Sequence, residues 1–270
     1  MQSRSDTPQA SWRRVQWQYD ALGRRIRQTT WSWLVQSNLW VVTEDLKFVS
    51  DPLLFGRHVV DLNTSNNVPL RTYVWGLDLS ESMDRPGGVG GLLWMTLHGG
   101  SGAGVGTHFC AYDGNGNVVA LASASDGSPT ARYEYGPFGE PIRLSGPAAA
   151  LNPFRFSTKR ADPTSDLVLY EYRVYQSSTG RWPNRDPIEE RGAVNLHSSV
   201  ANNPVNLVDF LGLKAESPRG PAGHCQDPCG DAKKKGLDKG DDGEWFAAAA
   251  RNIAAFGSQE MRRMPKPLQS

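Results

Sequence analysis

Short aromatic and β-branched runs alternate along this chain with clusters of Gly, Asp and Asn, and the alternation repeats one small unit. Val15 to Tyr19 reads as a strand, Asp20-Ala21-Leu22-Gly23 as a turn, and Arg24 to Trp31 as the returning strand. Gly four residues after Tyr supplies positive φ, and Asp hydrogen-bonds the turn backbone. The same spacing returns at Tyr112-Asp113-Gly114-Asn115-Gly116 and at Tyr135-Gly136-Pro137-Phe138-Gly139, with a looser version from Tyr175 to Trp182. Further strands are expected at Arg71 to Trp75, Thr107 to Tyr112, Val118 to Ala122, Arg132 to Tyr135 and Leu167 to Tyr175. With Asp126-Gly127 turning the chain between two of them, Thr107 to Leu144 reads as an antiparallel meander. Turns at fixed offsets define a repeat architecture in which each hairpin buries a face against its neighbours.

Two stretches interrupt the pattern. Pro86 to Gly106 is Gly-rich around a short apolar centre, but no Gly-Lys-Ser/Thr follows, so a strand-loop-strand crossing is expected there rather than a phosphate loop. After Leu213 the composition shifts to Gly, Pro, Lys and Asp, including Lys233-Lys234-Lys235 and Asp241-Asp242, as in a solvated linker. Beyond it, residues 244–256 read as one helix, with Glu244 near its positive end and Gly257 as its stop. The expected organisation is therefore an unstructured arm over 1–14, a hairpin region over 15–150, a distinct unit over 151–213 and a mostly disordered tail over 214–270.

Composition sharpens this picture. The 28 Gly and 18 Pro in 270 residues exceed the usual combined share of about 12%, which argues against a helical bundle and for an all-β fold. A net charge of +1, from 29 basic and 28 acidic residues, leaves no electrostatic footprint for nucleic acid or an anionic membrane. The most apolar stretch, Leu92 to Leu97, is far short of the ~20 residues of a membrane helix. The first residues lack the apolar core of a signal peptide. Cys110, Cys225 and Cys229 form no disulfide framework. His224, Cys225 and Cys229 are the one cluster with metal-ligand character, yet a closed zinc site needs a fourth ligand, so a plain loop cluster is the preferred reading. No cofactor is expected.

The segment from Asn152 to Leu213 closely resembles the RHS repeat-associated core domain, and the hairpins upstream resemble the YD repeats that precede it. The resemblance rests on Asn152-Pro153-Phe154-Arg155-Phe156-Ser157, Thr179-Gly180-Arg181-Trp182, Arg185-Asp186-Pro187-Ile188 and Asn202-Asn203-Pro204-Val205-Asn206, with support from Thr72 to Gly76 and Tyr133 to Glu140. It implies antiparallel hairpins forming part of an RHS-type β-sheet shell, plugged by the core domain, that encloses, presents or releases a variable C-terminal segment. The implied partners are that segment and upstream YD repeats, with an immunity protein or secretion apparatus beyond them. The implied location is outside the cell or at its surface.

Several branches of the family cut themselves just after a terminal Gly-Leu, using two Asp residues in Asp-Pro-x-Gly motifs. Carried over residue by residue, these are Asp186, with Arg185 before it as an orienting or oxyanion-stabilising cation, and Asp209; the scissile bond is Leu213–Lys214. Two close carboxylates cannot both ionise cheaply, so the pair shares a proton, one member acting as base and the other as acid. The sequence departs from the motifs at Glu189, in the place of the first Gly, at Phe210, in the place of the second Pro, and at His197-Ser198-Ser199, where the family shows aromatic residues. The plain alternative is that both Asp merely cap turns. Three functions compete: a shell that releases its C-terminal segment, a tail that is itself a small toxin enzyme, and a remnant copy with too few strands to close a shell.

Overall fold

The computed structural model describes residues 6–54, 57–79, 88–99, 102 and 104–217. Fifteen strands are present: β1 (Arg13–Tyr19), β2 (Arg25–Leu34), β3 (Leu39–Ser50), β4 (His58–Asn63), β5 (Pro69–Trp75), β6 (Leu92–Leu97), β7 (Gly106–Tyr112), β8 (Val118–Ser123), β9 (Pro129–Tyr135), β10 (Pro141–Ser145), β11 (Arg160–Asp162), β12 (Leu167–Leu169), β13 (Val174–Gln176), β14 (Val208–Asp209) and β15 (Ala215–Glu216). The first ten form one sheet in sequential order, each antiparallel to the next. The fold is the all-β, antiparallel hairpin array expected of an RHS-type shell, with short 3-10 turns before β1 and in the segment after β10.

The repeated turn chemistry is realised as the spacing predicts. Asp20 Oδ1 accepts the amides of Leu22 and Arg24 at 2.9 Å each. Asp113 Oδ1 does the same for Asn115 and Asn117 at 3.0 and 2.9 Å. The Gly-rich stretch contains β6 in the middle of the sheet, the expected strand crossing. One buried face runs across the strands: Tyr73 pairs with Met95, and Leu121 with Ala131. Together with Leu92, Val118 and Tyr133 they form a core closed by Ala148, Ala149 and Phe154 from the segment after β10.

Two local expectations change. Residues ahead of β1 are structured from Gln9, where a 3-10 turn over Gln9–Ser11 leads into Trp12, whose ring packs 5.5 Å from that of Trp33; aromatic contact anchors what reads as a polar arm. Leu167 to Tyr175 is not one strand but the hairpin β12–β13, paired with β11 as a separate sheet. The chain reverses at Tyr170–Arg173 without Gly, Pro or Asn, held by the Tyr170 amide on the Arg173 carbonyl at 3.1 Å. β3 and β4 lack the turn spacing and carry no sequence signal of that kind. The helix expected over 244–256 lies outside the described residues, as do His224, Cys225 and Cys229.

Candidate functional site

Asp186 and Asp209 come together, and each arrives on the same local device. Asp186 Oδ1 accepts the amide of Ile188 two residues on, at 3.0 Å. Asp209 Oδ1 accepts those of Leu211, Gly212 and Leu213 at 3.2, 2.7 and 2.9 Å. In both loops the residue three positions after the Asp has positive φ, +56° at Glu189 and +80° at Gly212. These loops use one carboxylate oxygen to fix the turn and leave Oδ2 free to point elsewhere.

Both Oδ2 atoms meet one guanidinium. Arg173 Nη1 lies 2.9 Å from Asp186 Oδ2, and Arg173 Nη2 lies 3.4 Å from Asp209 Oδ2. All three residues are buried, at 5, 3 and 4% exposure for Arg173, Asp186 and Asp209. Arg173 Nε donates to the carbonyl of Gly212, and the guanidinium stacks 4.3 Å from the centre of the Trp182 ring. Burial pulls the Arg173 guanidinium below its ordinary value while the two carboxylates pull it up. Burial pushes the Asp209 carboxyl above its usual value, against the amides of Leu213 and Gly212 and the charge of Arg173. Asp209 therefore holds its proton to a higher pH than a solvated carboxyl does.

The bond singled out in the sequence is beside this cluster. Leu213–Lys214 ends the loop that joins β14 to β15, so the residues on either side of it are tied together by the pairing of Asp209 with Ala215. A methyl group placed on Gly192 would lie 2.4 Å from Asp186 Oδ2 and 2.7 Å from the carbonyl oxygen of Leu213. The carboxylate and that carbonyl thus crowd the same point, which only Gly192 leaves open. A cavity of about 540 Å³, walled by Tyr133, Tyr135, Phe156 and Tyr175 among others, reaches Asp209.

Arg185 is exposed; the cation between the carboxylates is Arg173. Neither Arg173 nor Gly192 is visible as a site residue in the sequence. Arg173 sits among Tyr170, Tyr172 and Tyr175 in what reads as a strand, and Gly192 in a polar loop; their roles depend on residues far along the chain. His197-Ser198 still supports the unit despite the missing aromatics: Trp182 and His197 exchange bonds at 3.0 and 2.9 Å.

Sheet order and motifs are those of an RHS-type region. No family model matches the chain. It is 33% identical over 101 residues to the toxin subunit YenC2 of Yersinia entomophaga, covering 37% of this chain and 10% of that protein. It is 38% identical over 69 residues to the double-stranded DNA deaminase toxin A of Burkholderia cenocepacia, covering 26% and 5%. In the crystal structure of TcdB2-TccC3 the same fold recurs with a TM-score of 0.56 at 22% identity, over 78% of this chain and 10% of that one. The chain thus spans about a tenth of the length of YenC2, as an RHS-type region related to toxin subunits.

Proposed function

We propose that this region is the end of a β-shell that cuts its own backbone at Leu213–Lys214 and so frees the segment that follows. The observation that carries the reading is the buried Asp186–Arg173–Asp209 cluster, with Asp186 Oδ2 and the Leu213 carbonyl oxygen both close to Gly192. In the proposed step Asp186 takes a proton from a water whose oxygen attacks the Leu213 carbonyl carbon. Arg173 keeps the two carboxylates at a fixed distance and holds the loop by Gly212. As the C–N bond breaks, the Asp209 proton passes to the Lys214 nitrogen, leaving a carboxyl end at Leu213 and an amine at Lys214. Because Asp209 must be protonated, the rate falls as the pH rises through its elevated pKa. The freed segment is the cargo; secretion, display at a cell surface, an immunity protein and a secretion apparatus belong to this reading as its context.

The second reading, turn caps tied by an ion triad, draws on the Oδ1 bonds of both Asp. Intact mass separates the two. The unaltered chain yields a product ending at Leu213, while Asp186→Asn and Asp209→Asn each yield only the full-length mass. A stable full-length mass for the unaltered chain after long incubation at mildly acidic pH sinks the cleavage reading.

A further inference from the structure

β3 outruns the strand that follows it. Its pairing with β4 begins at Leu46, whereas its pairing with β2 begins at Leu39. The stretch from Leu39 to Glu44 therefore has a strand on one side only among the described residues. It is bounded by the turn ahead of Leu39 and by Asp45, whose carbonyl accepts the Thr64 amide at 3.2 Å.

The main-chain groups that face this open edge follow from the far side of β2. The Trp33 amide donates to the Trp12 carbonyl at 3.2 Å, so Trp33 turns its N–H and C=O away from β3. In an antiparallel ladder these groups alternate in direction from one residue to the next. Ser32 and Leu34 therefore bond to their partners Val41 and Leu39. Trp40 and Val42, opposite Trp33 and Trp31, send their own N–H and C=O out of the sheet. No described strand receives them.

The side chains along this edge do nothing to keep another strand away. Sheets protect an open edge with charge, proline or a bulge, yet no charged residue, Pro or Gly occurs from Trp31 to Thr43. The one irregularity, where Thr43 is skipped in the pairing with β2, ends the window rather than interrupting it. Leu39, Val41 and Val42 are 60, 44 and 51% exposed.

We infer that this edge pairs with the same edge of a second copy of the chain, antiparallel about a two-fold axis at Val41. An extended strand is what an open ladder accepts, and the edge is complementary to itself. With Val41 on the axis, Trp40 of each copy faces Val42 of the other, and each such pair exchanges both N–H···O bonds. An axis at Trp40 would set Val42 against the turn residue Asn38, and one at Val42 would set Trp40 against Glu44, beyond the irregularity. Aromatic and β-branched residues facing each other stabilise the pairing, and no like charges meet. Each copy uses up its open edge, so the assembly closes as a dimer instead of growing. The dimer does not rest on backbone cleavage, since the chain carries this edge before and after a cut at Leu213–Lys214.

The experiment is sedimentation velocity of the full chain from low to high micromolar concentration. The expected result is a species of twice the chain mass whose fraction rises with concentration. Val41→Lys and Val41→Glu each give a monomer with an unchanged unfolding midpoint, because residue 41 is surface-exposed and meets itself across the axis. An equal mixture of the two variants restores the dimer. A monomeric unaltered chain, a dimer that survives Val41→Lys, or a mixture that stays monomeric overturns the proposal. Should a variant fail to fold, amide exchange in the unaltered chain decides. The Trp40 and Val42 amides are expected to exchange slowly at high concentration and quickly on dilution, with Leu39 and Val41 slow at both. Exchange at Trp40 and Val42 that is the same at both concentrations overturns it: fast means an open edge, and slow means that another part of the same chain covers it.

Discussion

Glu189 stands at φ +56° three residues after Asp186, where the equivalent loop after Asp209 has Gly212 at φ +80°. A side chain in that region strains against its own carbonyl by about 1–2 kcal/mol, a cost that glycine avoids while losing part of the gain to its unfolded-state freedom. Glu189→Gly is therefore expected to stabilise the chain by about 1 kcal/mol, read as a higher urea midpoint at unchanged slope. A lower midpoint would mean that the exposed Glu189 carboxylate does something the backbone does not reveal. This residue also marks what the sequence could and could not convey. The family glycine's absence was legible as a departure, but its consequence, a strained rather than a rebuilt loop, is a matter of φ. Asp186 and Asp209 were legible as a pair through their motifs. Arg173 was not, because its partners lie 13 and 36 positions away and nothing local distinguishes it from a strand arginine.

At the scale of the element, hairpins with Asp and Gly at fixed offsets were readable because the turn is specified by the residues inside it. β3 and β4 were not, since their alternation is broken and their turns carry other chemistry, such as Asn67 at φ +55°. β4 nevertheless carries a consequence for stability. Its first residue, His58, is buried against Phe48, 4.9 Å between ring centres, and Phe154 at 6.3 Å. Burial, then the charges of Arg160 and Arg25, depress it to about 3, with Asp61 opposing. The unfolded chain protonates this ring near 6.5 and the folded chain does not, so between these values the unfolded state binds the extra proton. Stability from this group is complete above 6.5 and is lost as the pH falls towards 3. His58→Phe is expected to flatten the acid limb of the stability-versus-pH curve, by up to a few kcal/mol near its foot. Parallel denaturant titrations between pH 3 and 7 measure it, and an unchanged slope refutes the assignment.

On the scale of the whole described region, the segment after β10 is seated on the sheet by long-range polar contacts rather than by apolar area alone. Ser157 and Thr158 engage Asn117 and Gly116 in a sheet turn at 2.7 Å each, and Tyr175 reaches the Phe138 carbonyl at 2.8 Å. The centre of the attachment is Asp61 of β4, which accepts both contacts of Arg160 Nη2, at 2.6 and 2.7 Å, the Tyr73 hydroxyl at 2.8 Å and Arg71 at 3.3 Å. Asp61 is fully buried and Arg160 is 4% exposed. Desolvation works against the Asp61 charge, and Arg160 and Arg71 outweigh it, leaving the carboxyl below its usual value. A buried pair of this kind is vulnerable in one direction. Removing one partner strands the other charge at about 3–5 kcal/mol, whereas replacing both with packed apolar residues is far milder. Arg160→Met is thus expected to lower the unfolding free energy by about 3–5 kcal/mol, and Asp61→Leu combined with Arg160→Met to recover part of that loss, since Arg71 and the Tyr73 hydroxyl also lose Asp61. Urea unfolding of the two single variants and the double variant, analysed as a cycle, measures the coupling. Additive losses would show that the ion pair does not hold β11 to the sheet. The 99 positions separating the two residues explain why neither stands out in the sequence: a lone Asp in one strand and a lone Arg in another acquire meaning only when the fold closes them on each other.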